Sequence, residues 1–302
     1  MKNSFYNKYL GLTCVLSAAV LWGTTGTIAS FSPTLSPLTI GAAAMGGGGL
    51  LQTILARKAI KDHFHEIKSH FFILIIGILA VFVYPLAFYS SMHLAGITIG
   101  TVISMGTAPL FTALFEKIFE NKKLSLRWFI SFILGAIGIL CLSLGESQQT
   151  HISNHFSEEE KLGGLLLGII AGLAYALFSW IAKRLIDRNI SSKAIMGSMF
   201  GGASILLLPI CIFSSSTIFI HPMNIFVIGY MILIPMFLGY VLFGYGLKTI
   251  TASQALTLTL FEPVVAALLA ITLVGEKLEL IGWIGMILIM ICLILLSKKS
   301  HE

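Results

Sequence analysis

One carboxylate, Glu262, stands near the middle of the apolar stretch Ser253–Glu276 (SQALTLTLFEPVVAALLAITLVGE). A helix of that length crosses a bilayer. The nearest charges along the chain, Lys248 and Glu276, are each 14 residues away, roughly 21 Å of helix. An acid placed there costs about 2.5–3.5 kcal/mol on insertion, so it needs a function or a partner. No Lys or Arg lies deep in any apolar stretch to serve as a fixed counter-charge. Three roles stay open for Glu262: a protonated packing group beside Pro263, a carrier of a coupling proton, or a holder of the cationic group of a solute. The last two would place Glu262 in or beside a path for a small solute.

Other chemistry-bearing residues are few. Trp22, Tyr84, Tyr89, Tyr175, Trp180, Tyr240 and Tyr245 lie in apolar stretches. Their rings offer apolar area with one polar handle and a face for a cation, or they are packing and interface anchors. His63, His65 and His70 with Glu66 stand in one short polar segment, and nothing else completes a metal site. No metal and no cofactor are expected. The four cysteines, Cys14, Cys141, Cys211 and Cys292, sit in apolar runs without ligand or disulfide spacing and read as packing residues. There is no Gly-x4-Gly-Lys-Ser/Thr loop, so the chain has no ATPase of that type. A hydrolase would need paired carboxylates, a nucleophile–His pair or a metal cluster at membrane depth, and the apolar stretches hold none. An enzyme is therefore not expected.

The elements that must position these residues are helices in a membrane. Of the 302 residues, 57% are hydrophobic and only 11% charged, with a mean hydropathy of +0.95. A soluble domain carries about 25% charged residues. The net charge of +6 is explained by its placement and does not indicate a nucleic-acid partner. Ten spans are expected, near 9–31, 37–56, 71–92, 97–115, 126–144, 162–181, 194–213, 225–247, 252–274 and 280–297. If the N-terminus is cytoplasmic, 17 of the 19 Lys and Arg residues fall on the cytoplasmic side, leaving only Lys161 and Lys277 outside. That bias follows the positive-inside rule and predicts both termini in the cytoplasm. The first apolar run, which includes Trp22 and lacks a clear cleavage site, is read as a span and not as a removed signal.

The two halves resemble each other. Pro109 aligns with Pro263 at an offset of 154, which also sets Lys123-Leu124 on Lys277-Leu278, and Ala18–Trp22 aligns with Ala171–Tyr175 at 153. Five spans per half is an odd number, so the second half must insert upside down relative to the first. Inverted repeats around a midplane site are a recurring device of secondary transporters. The offset sets Ile97, Thr101, Met105, Ala108 and Thr112 against Thr251, Ala255, Thr259, Glu262 and Ala266, with Ser104 on the same side. An acid comes from one half only. Candidate binding or coupling residues are thus Glu262, Trp22, Tyr84, Ser104, Tyr175 and Thr259. Pro109 and Pro263 are candidates for helix kinks or gating. Gly46–Gly49 suits close helix contact or a hinge.

Leu21-Trp22-Gly23, Pro109, Glu262-Pro263, and Gly275-Glu276 before Ile281-Gly282 make the chain similar to the EamA type of the drug/metabolite transporter superfamily. The resemblance covers essentially the whole chain. It implies an all-α polytopic membrane protein of ten transmembrane helices in two inverted five-helix repeats, 9–145 and 162–298, joined by an external loop, 146–161. It further implies a multi-pass protein of the bacterial cytoplasmic membrane, with a cavity among spans 1, 3, 4, 6, 8 and 9. The expected activity is secondary transport of a small molecule, most simply export of amino acids or related metabolites. Uptake or exchange of a cationic or nucleoside-like metabolite, and drug efflux, are the alternatives. Protons are a candidate coupling ion, and lipid is the surrounding partner. Two departures stand out. Ala44 occupies a place where many relatives carry arginine, and Lys122 stands opposite Glu276 where the first repeat would carry its own glutamate.

Overall fold

The computed structural model describes residues 2–145, 157–213, 218–275 and 277–297. Among these are ten helices long and apolar enough to cross a membrane: α1 (Tyr9–Ala29), α2 (Pro37–Asp62), α3 (Phe71–Ala95), α4 (Ile99–Glu120), α5 (Leu126–Gly145), α6 (Glu159–Ile186), α7 (Ser192–Cys211), α8 (Pro222–Gly246), α9 (Ala252–Leu273) and α10 (Leu280–Ser297). Most of the expected connection at 146–161 lies outside the described residues, as does Glu276. The chief difference from the sequence reading is length. α2 and α6 run on as helix through Arg57–Lys61 and Lys183–Arg184, because a helix outlasts the apolar stretch that only marks its passage through lipid.

Local chemistry sets the helix starts. Ser36 precedes Pro37, and its hydroxyl accepts the Thr39 N–H at 3.1 Å. Ser157 and Glu160 cap α6 reciprocally, at 3.2 and 2.8 Å, and Thr251 with Gln254 does the same for α9. Gly96 turns the chain between α3 and α4 at a φ of 93°, a conformation that a Cβ would strain.

The helix contacts follow the inverted repeat. α2 packs on α7, α4 on α9, and α5 on α10. α3 packs on α6 as α8 does on α1, and α4 on α6 as α9 does on α1. Exchanging each helix for the one five places along leaves this pattern unchanged. The sequential Gly46–Gly49 run is wedged between neighbours, Gly46 and Gly49 facing α7 and Gly47 and Gly48 facing α8. Since α2 is unbroken there, the run serves close contact and not a bend.

Two glycines let helices of opposite halves approach backbone to backbone. A Cβ at Gly23 of α1 would lie 2.8 Å from the Glu262 carbonyl oxygen of α9, and one at Gly172 of α6 would lie 2.7 Å from the Ser104 carbonyl oxygen of α4. Backbone cannot move aside as a side-chain tip can. Gly172→Val should therefore destabilise the protein by about 1–3 kcal/mol, whereas Gly106→Ala, which meets nothing within 4 Å, should be neutral. Thermal unfolding in detergent checks this, and equal midpoints for the two variants would contradict it.

Candidate functional site

A cavity of about 520 Å³, its open end included, lies among α1, α2, α3, α6, α8 and α9. Its walls are mostly aromatic, with Trp22, Tyr84, Phe88, Tyr89, Tyr175 and Tyr240 around the carboxylate of Glu262. Trp22, Tyr175 and Tyr240 are buried, whereas Thr25, Phe88 and Tyr89, nearer the α1–α2 and α3–α4 connections, are half-buried. Beyond the buried end the rings continue as a floor. Tyr175 lies 5.2 Å from Phe178, Trp22 5.5 Å from Phe243, and Tyr240 4.4 Å from Phe200, centroid to centroid. Phe178, Phe200 and Phe243 have no exposed surface at all. The cavity is thus closed toward the α6–α7 and α8–α9 connections by packed aromatic side chains.

Helix irregularities place the two groups that matter most. Pro263 has no N–H for the Thr259 carbonyl one turn earlier. Residues Thr259–Phe261 instead tighten into a 3-10 turn, and the Glu262 N–H bonds to the Thr259 oxygen. A fresh α-helical segment begins at Glu262. Pro235 has a different effect on α8. The segment Ile232–Gly239 widens into a π-helix, and the Tyr240 N–H turns to Phe237. The Pro235 carbonyl then accepts the Trp22 indole N–H at 2.8 Å. The bond fixes Trp22 and uses its only donor, so Trp22 has no hydrogen-bond donor left for a solute. Tyr240 and Tyr175 pack against that indole at 4.8 and 6.5 Å.

Of the expected site residues, the structure brings Glu262, Trp22, Tyr84 and Tyr175 to one cavity. Ser104 and Thr259 do not line it. The Ser104 hydroxyl donates to the Gly100 carbonyl at 2.7 Å within its own helix, at the close approach to α6. Thr259 donates to Leu256 at 2.8 Å and reaches the cavity only through its neighbour, the Tyr175 hydroxyl. Among the described residues α4 supplies none of the lining, although the resemblance implied it would. The two repeat-related prolines differ as well: α4 stays α-helical through Pro109, whereas α9 changes geometry beside Pro263. Trp180 is buried against Phe115 and Phe119 at 5.6 and 5.2 Å, with the Arg184 guanidinium 4.9 Å from its ring. Among the described residues no group of three or more His, Cys, Asp or Glu is gathered as for a metal.

Glu116 was missed by sequence reasoning. It is buried near the end of α4, 2% exposed, and holds the start of α9. Its carboxylate accepts the Ala252 N–H at 2.9 Å, the Ser253 N–H at 3.4 Å and the Ser253 hydroxyl at 2.5 Å. Lys122 stands 3.9 Å from it and 2.6 Å from Glu120. An acid so close to the polar end of a span reads as solvated unless the free N–H groups of the facing helix start are counted.

A sequence model of the EamA-like transporter family matches residues 9–144 and again 162–298. An uncharacterized transporter of Bacillus subtilis, YwfM, is 28% identical across 100% of this chain and 97% of its own. The uncharacterized inner membrane transporter YicL of Salmonella typhimurium is 25% identical across 97% and 96%. A crystal structure superposes with a TM-score of 0.76 at 16% identity, covering 95% of this chain and 96% of that one, a likeness of fold alone. With the family's pattern present twice over ten membrane-spanning helices, the chain belongs to the EamA-like transporter family.

Proposed function

We propose that this protein is a secondary transporter of the bacterial cytoplasmic membrane that carries a small organic solute by alternating access, in the direction of export for amino acids or related metabolites. The enclosure of Glu262 by aromatic side chains where the two repeats meet carries this reading. A carboxylate at membrane depth without a fixed counter-charge is suited to bind a cationic group or to exchange a proton. The inverted repeat supplies the means, since rocking one half against the other exposes a midplane site to alternate sides. With both termini cytoplasmic, as the charge bias favours, the half-buried end of the cavity faces outward and the Phe178–Phe200–Phe243 floor faces the cytoplasm. The inner membrane relative YicL supports the location.

The test is counterflow in proteoliposomes with a panel of labelled amino acids and amines. A protein-dependent, saturable flux accelerated by unlabelled solute on the far side is expected for at least one member. Flux equal to that of protein-free vesicles across the panel would remove the amino-acid and amine reading.

A further inference from the structure

The cavity is chemically one-sided. Its lining, among the described residues, holds one carboxylate, Glu262, and no Lys, Arg or His. Among the described residues Glu262 itself has neither an ion pair nor a side-chain hydrogen bond. Around it the walls present rings from four helices: Trp22 of α1, Tyr84, Phe88 and Tyr89 of α3, Tyr175 of α6 and Tyr240 of α8. Trp22 has spent its N–H on the Pro235 carbonyl, so it offers a solute aromatic surface and no donor. Tyr84 and Tyr175 lie 5.1 Å apart, and Tyr84 and Phe88 5.8 Å. The aromatic surface is therefore continuous along one wall.

We infer that the solute is an organic monocation, an ammonium-bearing amine with an apolar body and no carboxylate, held by Glu262 and the surrounding ring faces. A cation here finds a formal counter-charge and the negative faces of the rings together. The α-carboxylate of an amino acid finds neither. It would enter beside a like charge with no Lys, Arg or His among the described lining residues, where both repulsion and desolvation act against it. Ala44, singled out in the sequence for its lack of a basic side chain, supplies no cation either. Ala44 itself is buried and lies outside the cavity lining. The inference rests on the transport reading, of which it narrows the substrate class from amino-acid metabolites to their amine counterparts.

The experiment compares three ligands that share one aromatic body: phenethylamine, phenylalanine and hydrocinnamate. Binding to the purified protein is followed by titration calorimetry, and flux by the proteoliposome assay. Phenethylamine should bind at least about tenfold tighter than phenylalanine, and hydrocinnamate should not bind. Glu262→Gln should weaken phenethylamine by at least about tenfold and narrow the gap to phenylalanine. Tyr84→Leu should weaken the amine while leaving Glu262 in place, and it serves as the second variant if the first is poorly folded. Phenylalanine or hydrocinnamate binding as tightly as the amine would overturn the inference, as would an amine indifferent to both substitutions or no binding by any of the three. Selective amine binding without flux would leave the cation site standing and remove the transport reading. Equal flux of amine and amino acid would do the reverse.

Discussion

Replacing Glu262 with glutamine is expected to reduce solute flux at least a hundredfold and to abolish whatever pH dependence the remainder shows. The substitution keeps the shape of the side chain, so α9, its 3-10 turn and the Glu262 backbone bond to Thr259 persist. It removes the single ionisable acid of the cavity. The groups facing it from α3, α6 and α8 are the phenols of Tyr84, Tyr89, Tyr175 and Tyr240, whose ordinary pKa of about 10 lies above working pH. Any proton exchange between about pH 5 and 8 at this site therefore passes through Glu262. A loss of one charge-assisted contact is worth about 1.5–3 kcal/mol, which alone weakens a bound cation by roughly tenfold to a hundredfold. On the proposal that protons are the coupling ion, loss of that coupling adds to it. Glu262→Asp keeps the charge on a shorter arm and should retain part of the flux with its pH dependence. The readout is initial flux in proteoliposomes at two pH values, with insertion verified by the thermal midpoint. Wild-type flux and pH profile in Glu262→Gln would make the acid a packing group and return the search to the aromatic walls.

Why Glu262 was legible from sequence, and Glu116 was not, has a physical reason. Membrane depth makes an acid conspicuous because lipid offers it nothing. Glu262 is isolated by 14 residues on each side, and the same isolation makes it the charged focus of the cavity. Span number and repeat order were legible for a related reason: backbone must satisfy itself in lipid, so apolar length translates into helices. Trp22, Tyr84 and Tyr175 also reach the cavity. Their partners do not follow from periodicity, because they depend on how α8 bends at Pro235. The Trp22 bond to that proline's carbonyl joins residues 213 positions apart. Ser104 and Thr259 illustrate the converse. Small polar residues on a helix face satisfy either a wet wall or a tight contact, and both hydroxyls here bond back to their own helices. The repeat alignment placed them near the midplane without deciding which way they turn. Glu116 became visible only when the end of α4 was set against the start of α9.

Glu116→Ala is expected to loosen that junction. The substitution leaves the Ala252 and Ser253 N–H groups and the Ser253 hydroxyl without their acceptor. Leaving buried donors unpaired costs about 1–3 kcal/mol, added to the loss of a helix cap of about 1 kcal/mol. Thr251 and Gln254 still cap one another, so the start of α9 frays without the whole helix being lost. Lys122 loses one of its partners. Burial pulls the Lys122 ammonium toward the neutral form, but the hydrogen bond it donates to Glu120 and the charges of Glu116, Glu120 and Asp187 outweigh it and hold the group above the ordinary lysine range. That support persists below the lysine's ordinary range and fades only as pH rises through its raised value, so the junction is fully formed at neutral pH. The pseudo-symmetric place for a second such acid, Ala270 of α9 at the offset of 154, holds none. The α4–α9 crossing is thus tied at the end near Glu116 and not at the other. On the alternating-access proposal, in which both ends open in turn, untying the tied end is expected to shift the balance toward states open on that side. Hydrogen exchange of the segment 250–258 should accelerate at least tenfold in Glu116→Ala, with a lower thermal midpoint, and Glu116→Gln, which keeps one acceptor oxygen, should fall between. Exchange and midpoint both unchanged would show that the carboxylate does not hold the two helices together.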